Sequence, residues 1–235
     1  DVLYRGRFQA IRPDIRIVTR PLITENSPDV LDQILLPDRP VVLCWYTAPQ
    51  SFTARNPIEA ELVAELTDKL SQILWDERED QSCLFTPAHF AQRGIAVLSP
   101  HRAQNSAIRQ ALREKGYDTD QRPLPLVDTV DKLQGKEREV ILVSYGVADS
   151  EFAMAEAAFL LSQNRFNVAV TRAQKKAVVV CSEQVLNVVP TDRQVLLDSM
   201  MLKEFRRYCN DGHLVLPWQS ATAGAIQIHI QWKSF

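Results

Sequence analysis

Glycine is scarce in this sequence, with seven residues among 235, and no G-x-G-x-x-G fingerprint occurs. A self-sufficient nucleotide site needs a Gly-rich loop whose backbone N–H groups wrap phosphates, followed by Lys and a Ser or Thr hydroxyl for magnesium. Gly135-Lys136 comes closest, but Glu137 stands where that hydroxyl belongs. The chain by itself therefore has no phosphate cradle of the usual kind. Cysteine is equally uninformative: Cys44, Cys83, Cys181 and Cys209 are far apart and form no C-x-x-C pair, so they read as reduced, buried, small hydrophobes. The four histidines, at 89, 101, 213 and 229, include no H-E-x-x-H, and no metal site is expected. No apolar run approaches the ~18 residues of a bilayer span. Residues Asp1 to Ala10 lack the basic-then-apolar order of a secretion signal, so the expected compartment is the cytosol, with no membrane partner.

What is present looks globular. Hydrophobic residues make up 46% and charged residues 24%, near the averages for soluble domains. The net charge of -2 conceals an uneven distribution. Residues 1–20 carry five Arg against two Asp, residues 21–90 carry four basic against twelve acidic side chains, and residues 91–125 carry six basic against three acidic. Such a chain has no overall basic footprint, yet a local groove of Arg and backbone N–H groups can still hold phosphates.

Along the chain, residues 5–40 are punctuated by five prolines and read as loop-rich. Val41 to Tyr46 is an apolar, β-branched run that reads as a buried strand. Asn56 as cap, Pro57 at the first helical position and Glu59 completing a capping box open an amphipathic helix over about 57–76. The pair Asp76-Glu77 follows the period of that helix and reads as the start of a solvated turn. Ile95 to Leu98, a short piece before Val130, Val140 to Val143 and Ala177 to Cys181 read as strands. Helices are expected from Ala107 to a stop at Gly116, over 164–171 and over 195–209. Strands alternating with helices predict an α/β, doubly wound, mostly parallel sheet covered on both faces. Ligands then belong at the carboxyl ends of strands, in the loops after Leu98, Val130 and Val143. The alternation of Ile226, Ile228, Ile230 and Trp232 predicts an edge strand or tail.

Three segments in order resemble motifs IV, V and VI of the second RecA-like domain of superfamily 1 helicases, in the Upf1-like branch. They are Gly94 to Gln104, Val127 to Glu137 and Arg165 to Ala173, with Asn56 and Glu59-Ala60 matching an Asn-x-x-Glu-Ala helix start. The resemblance implies a RecA-like domain over 50–212, a P-loop NTPase fold lacking its own P-loop. Residues 1–49 would be a lead-in packing on the sheet, and 213–235 an edge strand or tail. It also implies that ATP and Mg2+ are bound mainly by a first RecA-like domain of the same polypeptide, expected to precede Asp1. Single-stranded DNA or RNA would be the track, travelled 5′ to 3′.

Residue roles follow from the same resemblance. Arg172 matches the arginine finger, whose planar positive fork meets charge spreading over a transferring phosphoryl group. Gln134, Gly135 and Glu137 match the nucleotide side of motif V. Arg165 either holds its helix or reaches the nucleotide cleft. Thr129 matches the hydroxyl residue that touches the nucleic-acid backbone, the alternative being that Thr129 and Asp131 only cap a turn. His101 and Arg102 either touch phosphates on that face or belong to a plain exposed loop. Val147 stands where many relatives carry Arg, and Gln174 replaces a common basic residue. A rival reading is a non-catalytic RecA-like module that binds a protein.

Overall fold

The computed structural model describes residues 25–76, 83–133 and 136–234. Among the described residues nine strands form: β1 (Val41–Tyr46), β2 (Trp75–Asp76), β3 (Cys83–Leu84), β4 (Ile95–Leu98), β5 (Leu126–Asp128), β6 (Arg138–Ser144), β7 (Ala173–Ser182), β8 (Gly212–Ser220) and β9 (Gly224–Lys233). Five helices organise the layers: α1 (Val30–Leu35), α2 (Pro57–Ile73), α3 (Arg102–Glu114), α4 (Gln163–Thr171) and α5 (Arg193–Tyr208). Seven strands make one sheet in the order β5-β4-β6-β7-β1-β9-β8, with β2 and β3 paired apart from it. From β5 to β1 the neighbours run parallel, whereas β9 and β8 are added antiparallel. The sheet is thus mostly parallel, with helices on both faces.

The unbroken apolar runs have a direct cause. Along β1, Val42, Cys44 and Tyr46 face one core with α1, α2 and α3, while Val41, Leu43 and Trp45 face a second core with α4 and α5. Both faces of a central strand are covered, so every position is apolar rather than every second one. Residues 41–46 lie inside the sheet, between β7 and β9, and not upon it. Cys44, Cys181 and Cys209 are buried free thiols within these cores. Among the described residues, no helix is long and apolar enough to cross a membrane.

Several local expectations are corrected. Helix α2 stops at Ile73, because Leu74 turns to extended backbone and leads into the short pair β2 and β3. Asp76 is buried rather than solvated and ion-pairs with Arg93; Glu77 lies outside the described residues. Within the loop-rich stretch a helix appears, α1, capped by the Asp29 carboxylate accepting from the Leu31 N–H at 2.7 Å. The final alternating segment is β9, second from the edge, and the edge itself is β8.

Gly146, just beyond β6, has φ +71°, and a Cβ there would lie 2.6 Å from Gln104 Cγ. Left-handed backbone costs other residues about 1–2 kcal/mol, and overpacking a filled site adds about 1–3 kcal/mol. Gly146→Ala should therefore destabilise the fold by roughly 2–5 kcal/mol in chemical denaturation. An unchanged denaturation midpoint would show that this loop is not tightly packed.

Candidate functional site

The loop after β6 is held by an enclosed polar cluster. Asn56 caps α2, its Oδ1 accepting from the N–H groups of Ile58 (3.1 Å) and Glu59 (3.4 Å). Glu59 does not return that bond as a capping box requires. Its carboxylate instead accepts from Ser144 Oγ at 2.7 Å and from the Gly146 N–H at 2.9 Å. Gln104 takes over the reciprocal role: its Oε1 accepts from the Asn56 N–H at 2.8 Å, while its Nε2 donates to the Asn56 carbonyl and to Ser144 Oγ. Asn56, Glu59, Gln104 and Ser144 are all fully buried. Burial pushes the Glu59 carboxyl up to about 8, against the opposing pull of its Gly146 and Ser144 donors.

On this support rests a cavity of about 330 Å³ at the carboxyl ends of β4, β5 and β6, lined in part by Ser99, His101, Arg102, Thr129, Tyr145 and Arg165. Four segments far apart in sequence meet there: the loops after Leu98 and Val143 and beside Val130, where ligands were expected, and the stretch from Phe159 into α4. His101 precedes α3 without capping it through its side chain. Its ring lies 5.8 Å from Phe152 and 5.5 Å from Phe159, centroid to centroid. Burial lowers its pKa, with Glu156 opposing, so the imidazole is neutral at pH 7. Arg102 is exposed at the first turn of α3. Arg165 places its guanidinium 4.3 Å from the centre of the Phe159 ring. The turn at Thr129 is closed by others: Asp128 accepts the Thr129 N–H at 2.8 Å, and the Thr129 carbonyl accepts from Lys132.

A second group lies at the opposite edge of the sheet. Glu137 and Arg172 immediately precede the parallel strands β6 and β7, whose amino ends adjoin. The Arg138 N–H donates to the Arg172 carbonyl at 3.0 Å, and Gln174 Nε2 donates to Glu137 Oε2 at 2.7 Å. Arg172 ends α4, and its Nε is enclosed with no hydrogen-bond partner among the described residues. Arg172 as a whole is partly exposed at this edge, and its guanidinium is a permanent cation of the kind that suits an anion. Gln134 and Gly135 lie outside the described residues.

The arrangement thus brings Thr129, His101, Arg102 and Arg165 together, and separately Glu137 with Arg172. Arg165 belongs with the cavity and not with Arg172. The two arginines are seven residues apart on one helical segment, roughly 10 Å along its axis. Glu137 and Arg172 depart from the carboxyl-end expectation because α4 runs antiparallel to the strands, delivering its end to their amino edge. Phe152 and Phe159 were not found by sequence reading. They come from two short helices, Ser150–Ala155 and Ala157–Leu160, in a stretch with no motif.

A family model described as an AAA domain matches residues 3–184. The DNA replication ATP-dependent helicase/nuclease of Arabidopsis thaliana is 29% identical over 197 residues, covering 80% of this chain and 13% of that protein. The DNA polymerase alpha-associated DNA helicase A of Saccharomyces cerevisiae is 27% identical over 184 residues, covering 78% of this chain and 25% of the relative. The DNA-binding protein SMUBP-2 of Mus musculus is 32% identical over 93 residues, covering 40% of this chain and 8% of its own length. The chain therefore spans a quarter or less of each of these relatives.

Because Glu59 is harder to ionise folded than unfolded, the folded state holds its proton over a wider range. Stability from this group should fall as pH rises from its ordinary value of 4.5 to about 8 and then level off. Thermal melting of the wild type and of Glu59→Gln from pH 5 to pH 9 checks this. The advantage of the wild type should shrink toward pH 8, and a gap independent of pH would contradict the assignment.

Proposed function

The chain belongs to the AAA-domain family and is a helicase domain of the Upf1-like branch of superfamily 1, and from that premise we propose that it is the second motor domain of an ATP-dependent helicase. In this reading it moves single-stranded DNA or RNA, and a first RecA-like domain of the same polypeptide holds most of ATP and Mg2+. The observation that carries the reading is where the described ends of motif V lie, residues 127–133 and 136–137. This motif V segment begins at the cavity beside Thr129 and ends beside Arg172, because the parallel strands β5 and β6 oblige the chain to return across the sheet. One segment thereby touches both sets of residues.

The cavity edge is the nucleic-acid side. Arg102 and Arg165 supply positive charge, Thr129 a hydroxyl, and the first turn of α3 free N–H groups, all suited to phosphates. Base identity is not needed for such contacts. The amino edge is the nucleotide side. Bound ATP supplies the phosphoanhydride whose cleavage drives movement, and Arg172 is the finger that meets its terminal phosphate. Gln174 holds Glu137 in place beside it through a neutral hydrogen bond. Arg165 serves the nucleic-acid side in this reading, not the nucleotide cleft.

Two measurements test the proposal. Residues 1–235 alone should show no appreciable magnesium-dependent ATP turnover, since the phosphate loop belongs to the first domain; robust turnover would refute this division of labour. In the polypeptide carrying both motor domains, Arg172→Ala should slow ATP turnover by about 10³ to 10⁵ and leave nucleic-acid affinity nearly intact. Unchanged turnover would remove Arg172 as the finger.

A further inference from the structure

Phosphate contacts account for the rim of the cavity, but not for its interior. Phe159, Val143 and Tyr145 give it apolar walls, although it opens beside two arginines. Phe159 and Phe152 flank the His101 ring with tilted planes, and all three residues are partly buried rather than closed into the core. The Arg165 guanidinium carbon lies 4.3 Å from the centre of the Phe159 ring, so a planar, charge-delocalised group already packs against that ring. A volume of about 330 Å³ sits at the bottom of the range for small-molecule sites, room for one heterocycle and not for a folded peptide.

We propose that this cavity is a nucleobase pocket, in which one base of the bound single strand turns inward and packs against Phe159 and Arg165 while its flanking phosphates stay with Arg102 and Thr129. The inference rests on the motor-domain reading and adds a base subsite to its backbone contacts. Negative phosphates at the rim and a flat π-surface inside match the two parts of a nucleotide, where a peptide or lipid would match only one. Stacking of this kind tolerates any base, because every base has a π-face. Its register on the strand is nonetheless fixed by the neighbouring phosphate contacts.

The test walks a single abasic site along a single-stranded oligonucleotide bound to the full-length protein, with the affinity of each oligonucleotide measured. One position should bind about tenfold more weakly than the rest, the scale of one lost base–aromatic stack. A 2-aminopurine placed at that position should change its fluorescence on binding. Phe159→Leu, which keeps apolar packing but removes the flat ring, should erase both position-specific effects and leave the salt dependence of binding unaltered. Phe159→Ala should do the same. Uniform affinity along the walk, or a position effect that survives both variants, would overturn the pocket while salt-dependent binding upheld the motor-domain reading. Loss of all single-strand binding in the wild type would overturn both.

Discussion

Glu59 is the group on which the site depends. A carboxyl group removed from water is costly unless it is hydrogen-bonded, and here its partners are Ser144 and Gly146 at the exit of β6, with burial keeping the proton on it up to about pH 8. The residue sits on α2, so one side chain ties a helix to the loop that the parallel sheet presents at its ligand edge. Gln104, on α3, closes the same cluster from the other side. Because every member is buried and the bonds of Glu59 to Ser144 and Gly146 and of Gln104 to Asn56 and Ser144 cross between elements, a shift of one element leaves polar groups unpaired. Tyr145, between Ser144 and Gly146, is thereby fixed as a cavity wall. Gly146 is glycine for the same reason: the loop must approach Gln104 more closely than a Cβ allows.

Much of this was legible in the sequence, and the reasons for success and failure are physical. Apolar runs such as Val140 to Val143 exposed the central strands because both faces are buried. The cap at Asn56 and the stop at Gly116 marked helix ends, Gly116 having φ +83°. The capping box is only half formed: Glu59 accepts from the Asn56 side-chain amide at 3.4 Å rather than from its backbone N–H, and its shorter bonds go to partners 85 and 87 residues away, which a local pattern cannot show. Asp76 was misread for a similar reason, since its partner Arg93 comes from beyond a second short strand. The edge strand β8 hid because Pro217 breaks its pattern, which an edge tolerates where a central strand does not.

The cavity illustrates a stricter limit. His101, Thr129 and Arg165 each belong to a recognisable segment, and their shared face follows from parallel topology. Phe152 and Phe159 belong to none, and their two short helices carry little periodicity of their own. Only packing beneath the carboxyl ends of β4 and β6 gives those rings a neighbour in His101. A basic and aromatic surface can therefore be assembled from segments fifty residues apart in a chain of slightly acidic net charge. Composition measures the average, whereas binding depends on the local field.

Helix α4 has a mechanical consequence under the proposed function. Phe166, Ala169 and Val170 bury one side of it against β6 and β7. A short helix packed on a sheet moves with that sheet and does not bend independently. Arg165 at one end and Arg172 at the other are therefore members of one rigid piece. Rotation of the whole domain toward a partner that places Arg172 against a phosphate must also displace the cavity edge by a related amount. Hydrolysis and strand movement would then be coupled by rigid-body geometry, with no conformational signal needed inside this domain.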